Sequence, residues 1–433
     1  MKTRSRCFLF CLFLPGLSLS EEASLGAFSV EQAILQGREH SVELRVQQRA
    51  FERSKLQTNS IHEQYRPDLS LNLHVNDGDN RSTSNADETA TNSVSRSAAV
   101  LSLVFPWGHK GELKYDEKIS RLGEGLNQAQ YQAQQQQLDR SIFNIYFEYV
   151  YRQQLLLIKK KFMDAAKSRM KKVQQDLALG RSSKWKLLNE ESHYLNKLSD
   201  YQQAEMEAMQ SFNALSNLLG QPLTDSRPMA GFFSQTLLNS VHSYQINFDS
   251  IGQVKVLQTQ LKQKILEMKK VRKTLWKPKL ELSASYLNED TEGDNGGQTS
   301  RTVWGAKVNL PFPAVSSVNL ESEILTHDIE GLKQRIHEIK AERLSNAEQI
   351  KKMMKIKLAR LNTQRSLIDK KAEELQAAVK SYEIGRLSSL ELQNLETLQI
   401  ESQENYYGTL LEVHQHYSEL FFLLGRSLLE SER

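Results

Sequence analysis

At 433 residues, with 39% apolar residues and a mean hydropathy of −0.54, the chain is too polar for two or three ordinary globular domains. It reads instead as long amphipathic helices with thin apolar stripes. The net charge of +4 falls to +1 once Lys2, Arg4 and Arg6 near the N-terminus are set aside, a balance that gives no support for a nucleic-acid partner.

Residues 1–20 read as a secretory signal peptide. Three basic residues precede an apolar run from Cys7 to Leu14, a Pro15-Gly16 break, and Ser18-Leu19-Ser20 ahead of Glu21, the order of an n-region, an h-region and a cleavage site. The apolar run is too short to cross a bilayer. Both cysteines, Cys7 and Cys11, leave with this segment, so an exported protein without thiols or a lipidated cysteine is expected.

From Ala27 to Tyr65 the spacing predicts a helix, with Ser29 as a cap and Pro67 as the stop. Strict alternation then begins: Leu69, Leu71, Leu73 and Val75 fall on one face of a strand, and Asp68, Ser70, Asn72 and His74 on the other. The polar stretch from Asn76 to Arg96 is expected to be a loop. A second strand carries Ala99, Leu101, Leu103 and Phe105 on one face and stops at Pro106. Gly111 to Leu179 then runs without a proline, a helix of roughly 100 Å. After a turn at Gly180, a second helix runs from Lys184 to Leu219. Thr224 to Phe248 is a mixed linking segment.

The order then repeats. Gln253 to Trp276 is helical, and a strand with Leu280, Leu282, Ala284 and Tyr286 on one face opens at Pro278. A loop is expected from Asn288 to Arg301, followed by a strand with Trp304, Ala306, Val308 and Leu310 on one face, closed by Pro311-Phe312-Pro313. Beyond Pro313 two stretches keep the 4-3 spacing of a coiled-coil seam, Leu325 to Ile339 and Leu361 to Tyr382. The turn motif at Gly385 to Glu396 copies the one at Gly180 to Glu191. Gly385, Leu424-Gly425 and Pro311 each lie 205 residues after Gly180, Leu219-Gly220 and Pro106, which marks two tandem copies of one unit. Expected boundaries are 21–222 for the first repeat with its β-hairpin at 67–106, 223–250 for the linker, and 251–433 for the second with its hairpin at 278–311. Pro67 to Pro278 spans 211 residues rather than 205, and the difference is assigned to the hairpin loop, where insertions are tolerated.

Four amphipathic strands are too few to close a barrel, since small closed barrels need about eight, and an open sheet exposes two edges. Three copies would supply twelve strands. The fold class expected is an α+β membrane protein: a long coiled-coil helical barrel plus four β-strands per protomer that several copies complete into a transmembrane β-barrel, a trimeric one if the copies are three. Tyr65 and Trp276, each two residues before the aligned prolines, fit an aromatic belt at a membrane interface. No catalytic constellation or cofactor motif is present. His414 and His416, two residues apart, point to different sides of a helix and make a poor metal pair, so an enzyme is not expected.

Taken together, Phe28 to Ala33, the Arg66-Pro67-Asp68-Leu69 and Lys277-Pro278-Lys279-Leu280 strand starts, the Pro106 and Pro311 corners, the Gly-Arg turns and the Leu-Leu-Gly endings resemble the TolC-like outer-membrane efflux proteins over essentially the whole mature chain. The resemblance implies a homotrimer in outer-membrane lipid, a helical tunnel across the periplasm, and turns that dock a periplasmic adaptor of an inner-membrane pump. It assigns the docking role to Gly180, Arg181, Ser182, Ser183, Gly385, Arg386, Leu387 and Ser388. It places a periplasmic gate at Tyr382, Glu391, Asn394 and Lys186, with one family carboxylate kept as Glu391 and another replaced by Asn394. A family arginine is replaced by Leu387. The function expected is an exit duct for efflux or type I secretion. The competing reading is a periplasmic coiled-coil adaptor or scaffold without a membrane span.

Overall fold

The computed structural model describes residues 28–83, 89–105, 110–220, 231–232, 246–273, 279–292, 297–310 and 315–428. The signal segment, Pro106, Trp276, Pro278, Pro311, Pro313 and most of the 223–250 linker lie outside the described residues. The elements are α1 (Val30–His40), α2 (Val42–Gln64), β1 (Asp68–Thr83), β2 (Thr89–Phe105), α3 (Lys110–Ala178), α4 (Lys184–Leu219), a 3₁₀ turn at Phe248–Ser250, α5 (Gly252–Lys273), β3 (Lys279–Glu292), β4 (Gly297–Asn309), α6 (Val315–Glu383) and α7 (Ser389–Leu424).

The repeat matches residue for residue in the lengths of its hairpin helices. Helices α3 and α6 each have 69 residues, and α4 and α7 each have 36. At about 1.5 Å per residue, α3 and α6 extend for roughly 100 Å. Each long helix folds back on its shorter partner to make a hairpin, and the two hairpins meet along α3 and α7. Of the 4-3 positions of the expected seam in α6, Leu325, Ile329, Ile336, Ile339 and Leu361 are buried, whereas Leu332 and the positions beyond Leu361 (Ile368, Ala372, Leu375, Val379 and Tyr382) are half-buried. Between the two stretches read from sequence, Ala347, Ile350, Met354 and Leu358 continue it.

The largest core lies midway along the helices, where α3, α6, α7 and α1 converge. Its centre is aromatic. The Phe143 ring lies 4.7 Å from Phe147 and 6.0 Å from Tyr417, which stacks 4.6 Å from Phe421. Such pairs add about 0.5–1.5 kcal/mol each beyond their buried area. Tyr146 hydroxyl donates to the Phe28 carbonyl at 2.6 Å, and Arg38 forks onto Asp139 at 2.7 and 2.5 Å. These bonds fix the N-terminal helix against α3.

Three sequence expectations are corrected. The single helix over Ala27 to Tyr65 is interrupted at Ser41, whose backbone is extended (φ −62°, ψ 119°) and whose Oγ accepts from the Leu44 amide at 3.3 Å, so Ser41 ends α1 and caps α2. The stretches 76–96 and 288–301 are largely strand. Strand β1 pairs with β2 out to Thr83 and Thr89, and β3 with β4 out to Thr291 and Gly297. Consequently the extra residues of the first repeat lengthen its strands, 16 and 17 residues against 14 and 13. The physical reason is common to both stretches. Where neither face meets an apolar environment the side-chain alternation disappears, but the backbone ladder does not need it.

All four strands form one antiparallel sheet in the order β1-β2-β3-β4. The register aligns their apolar positions into continuous rows: Leu71, Leu101, Ala284 and Trp304; then Leu69, Leu103, Leu282 and Ala306. This face is open. Leu69, Leu71, Leu73, Val75, Tyr286, Trp304 and Val308 are all exposed. The opposite face carries Ser70, Ser102, Ser283 and Gly305 in one row, with Ser70 and Ser102 hydroxyls 2.6 Å apart. No helix among the described residues is long and apolar enough to cross a membrane.

Candidate functional site at the helical turns

The turn between α3 and α4 and the turn between α6 and α7 are built alike. Gly180 and Gly385 take φ of 73° and 74°, a left-handed conformation that side chains with a Cβ adopt at a cost. The Gly180 amide donates to the Leu177 carbonyl at 2.9 Å and Arg181 to Asp176 at 2.7 Å. Gly385 donates to Tyr382 at 3.0 Å and Arg386 to Ser381 at 2.8 Å. This double bond pattern satisfies carbonyls that a bare helix end would leave open. Three residues on, Ser183 and Ser388 cap the returning helices through the amides of Lys186 and Glu391, both at 3.2 Å.

Arg181, Ser183, Arg386 and Ser388 stand exposed at the turns, and Leu387 and Ser182 are half-buried. The Ser182 hydroxyl is enclosed without a hydrogen-bond partner. Large apolar side chains are exposed at equivalent places on both turns: Leu179 with Ile384, and Trp185 with Leu390.

Of the four residues expected at the gate, two come together: Lys186 Nζ sits 5.0 Å from the centre of the Tyr382 ring. Glu391 and Asn394 are exposed. Glu391 is occupied locally, because its carboxylate accepts from the Ser388 amide at 2.9 Å and from the Ser388 hydroxyl at 2.7 Å. These bonds complete a capping box and hold the carboxyl below the usual carboxylate range. At the other end of the helices, the Tyr65 hydroxyl donates to Asp116, which also receives Lys270 Nζ at 2.5 Å. Trp276 lies outside the described residues.

Sequence reasoning missed an ionic cluster just above the turns. Arg169 of α3 forks onto Glu396 of α7, with Nη2 to Oε2 at 2.7 Å and Nη1 to Oε1. His193 Nε2 of α4 reaches the same Glu396 at 3.0 Å. Glu190 of α4 accepts from the Tyr382 hydroxyl of α6 at 2.9 Å and from Ser389 of α7 at 2.6 Å. Glu190 is 1% and Glu396 2% exposed, so each carboxylate would cost several kcal/mol without partners. Burial raises the Glu396 carboxyl, but the bonds from His193 and Arg169 and the arginine charge outweigh it and hold it below the ordinary range. Burial, the Glu190 charge and the bond to it push the Tyr382 phenol up to about 12. The signal that would have found the cluster is a charged residue inside an apolar stripe: Glu396 follows Leu392 and precedes Ile400 on the buried face of α7.

Among the described residues no acidic, histidine and cysteine cluster could hold a metal ion. His414 is fully buried, its Nδ1–H donating to the Leu410 carbonyl at 2.8 Å. His416 instead faces Glu419 at 3.8 Å.

No protein-family model matches the chain, and a search of curated proteins finds no match. Solved structures do match. The outer-membrane channel OprN aligns with a TM-score of 0.68 over 92% of this chain and 90% of its own, at 15% identity. The outer-membrane channel CmeC of Campylobacter jejuni aligns at 0.70 over 92% and 85%, at 12% identity. The MtrE channel of Neisseria gonorrhoeae, in its open state, aligns at 0.66 over 92% and 89%, at 14% identity. This chain has the fold of these outer-membrane channels. The likeness includes the strands and the helices together, since it covers more than nine-tenths of the residues.

Proposed function

We propose that three copies of this protein form a passive exit duct in the outer membrane, completing a tripartite efflux or type I secretion machine. The observation that carries the reading is the sheet. It has an exposed apolar face, an opposite face that mixes polar residues such as Asp68, Ser70, Asn72, Glu281 and Lys307 with Val100 and Val303, and two edge strands, β1 and β4, and it is joined to helices of roughly 100 Å. An apolar face against lipid and a polar face against a lumen is the requirement for a membrane barrel. Side-by-side addition of neighbouring sheets removes both edges, and three copies bring the strand number to twelve, above the minimum of about eight.

The helical hairpins then extend into the periplasm, and their turns face the inner membrane. Exposed Leu179, Trp185, Ile384 and Leu390 beside Arg181 and Arg386 suit a partner that buries apolar side chains within a polar rim, as a helical periplasmic adaptor of an inner-membrane pump would. Membrane fractionation tests the reading. Release by detergent but not by salt, followed by migration as a trimer in mild detergent, is expected. Release by salt, or a detergent-solubilised monomer with its full β content, would favour a periplasmic scaffold and overturn the duct.

A further inference from the structure

The two helical hairpins of a protomer match in length but differ in charge near their turns. Residues 159–197 of the first carry eleven Lys and Arg against four Asp and Glu, a net +7, while the equivalent residues 364–402 of the second carry five against seven, a net −2. We propose that the first hairpin docks a partner helix with an acidic face, laid along α3 from Leu157 to Gln175, and that the second hairpin offers no such surface.

The spacing of the surface points to a helix. One face of α3 is buried, with Leu155, Phe162, Met163, Ala166 and Val173. Elsewhere on the same helix Leu157, Lys161, Asp164, Ser168, Lys171 and Gln175 follow one another at unbroken 4-3 spacing, and all six are exposed. Neither α4 nor α7, which flank α3 in the protomer, covers this second stripe. It runs for about 30 Å with the spacing at which one helix seats another. Lys160 and Lys167 stand on one flank and Lys172 on the other, the positions whose charges decide partner choice in coiled coils. Exposed Leu157 at one end, and Leu179 and Trp185 at the turn, offer apolar anchors.

The charge asks for acid. Of the seven lysines and arginines on α3 between 159 and 172, Lys159, Arg169 and Lys172 pair with Glu404, Glu396 and Glu383, and Lys160, Lys161, Lys167 and Lys171 have no ion-pair partner among the described residues. Lys167 and Lys171, four apart, repel one another on the helix surface, a cost that returns nothing within the protomer. The fold does not require these lysines. On α6, of the same 69-residue length, Ser366, Ala372 and Gln376 stand where α3 has Lys161, Lys167 and Lys171, and Asp369 and Glu373 lie on the equivalent stripe. Because the two stripes occupy equivalent faces of a repeated unit, copies closed into a ring turn both in the same radial sense and never against each other. A second copy of the chain is therefore not the occupant.

That the partner is the adaptor of a pump rests on the duct reading; that α3 takes an acidic helix does not. The probe is a synthetic helical hairpin of about four heptads per arm, fused to a carrier protein too large to enter a tunnel, with Glu, Gln or Lys at its flanking positions. Calorimetry follows its binding to the full-length protein in mild detergent, at about 0.05 M and about 0.5 M salt. Expected are one Glu probe per protomer, bound at least about tenfold more tightly than the Gln probe at low salt, and a preference that shrinks at high salt. Lys161→Ser, Lys167→Ala and Lys171→Gln together install the residues of the second repeat, whose fold accommodates them; this variant should stay folded and lose the preference. Lys370→Gln, Lys371→Gln and Lys380→Gln together, on the second hairpin, should leave it unchanged.

A preference that survives the first triple variant, two probes per protomer, or binding of the free hairpin but not of its carrier fusion would overturn the proposal. Binding to phosphatidylglycerol vesicles that the first triple variant abolishes, with no probe bound, would assign the stripe to a membrane surface and overturn it too. A trimer in detergent without a charge preference would retain the duct and overturn the docking surface. A charge preference in a protein released by salt as a monomer would do the reverse.

Discussion

Tyr382 and Glu190, 192 residues apart in sequence, are joined by a hydroxyl-to-carboxylate bond of 2.9 Å that runs from α6 of one hairpin to α4 of the other. The phenol, pushed up to about 12, remains a donor throughout the range in which the protein could work. Replacing Tyr382 with Phe leaves Ser389 as the remaining hydrogen-bond donor to Glu190 Oε1. Loss of a bond to a charged group costs about 1.5–3 kcal/mol. Thermal unfolding of Tyr382→Phe, Glu190→Gln and the double variant should show a coupling of about 1 kcal/mol or more, and strictly additive effects would contradict the bond.

At Gly385 a Cβ would meet no heavy atom within 4 Å, so the positive φ of 74° is the whole penalty for a side chain. A β-branched residue there costs about 1–2 kcal/mol. Gly385→Val is expected to weaken the turn and lower export while membrane insertion and trimer formation persist. Normal export by an inserted variant would show that the turn geometry is dispensable.

Glu391 offers a test of the gate that keeps its cap. Glutamine serves at the third position of a capping box as glutamate does, so Glu391→Gln should leave the start of α7 intact while removing a charge. If three copies of Glu391 line a narrow axis, the substitution lowers cation selectivity in single-channel recordings. Unchanged selectivity in assembled channels would assign the carboxylate to its cap alone.

His414 sets an acid limit. It lies 4.3 Å from the Phe147 ring and 5.0 Å from Phe232, and burial lowers its imidazole to about 4, partly offset by the bond to Leu410. The unfolded chain, with an ordinary imidazole at about 6.5, takes up a proton that the folded chain refuses. Stability from this group is therefore present above about pH 6.5 and is lost as pH falls toward about 4, by about 2 kcal/mol at pH 5. Thermal midpoints in detergent should drop more between about pH 7.5 and about pH 5 for the parent than for His414→Phe. Equal drops would place the acid sensitivity elsewhere.

The helices were legible because their punctuation is: Gly180, Gly220, Gly385 and Gly425 all take positive φ, and the prolines stand outside the long helices. Strand faces were legible where one side is apolar, from Leu69 to Val75 and from Leu280 to Tyr286, and the register puts those residues on one face. The strand ends were not, because Asp77 or Glu289 in a strand wetted on both sides looks like a loop residue, although Arg96 pairs with Glu289 at 3.0 Å across the ladder. The ionic cluster was hidden for a different reason. A glutamate in a helix is usually solvated, and that Glu190 and Glu396 are buried follows from where two hairpins 205 residues apart come to lie, which no local window contains.

The open sheet bears on biogenesis as well as on assembly. A newly exported protomer, before it has neighbours or lipid, would carry Leu69, Leu71, Leu73, Val75, Trp304 and Val308 directly in water, between two strands able to pair with any passing chain. Its helices share cores within the protomer, but its sheet has no such cover. Synthesis that outpaces delivery to the membrane should therefore yield aggregates nucleated at the sheet, and the flow of new chains should depend on a chaperone that shields that flank until insertion.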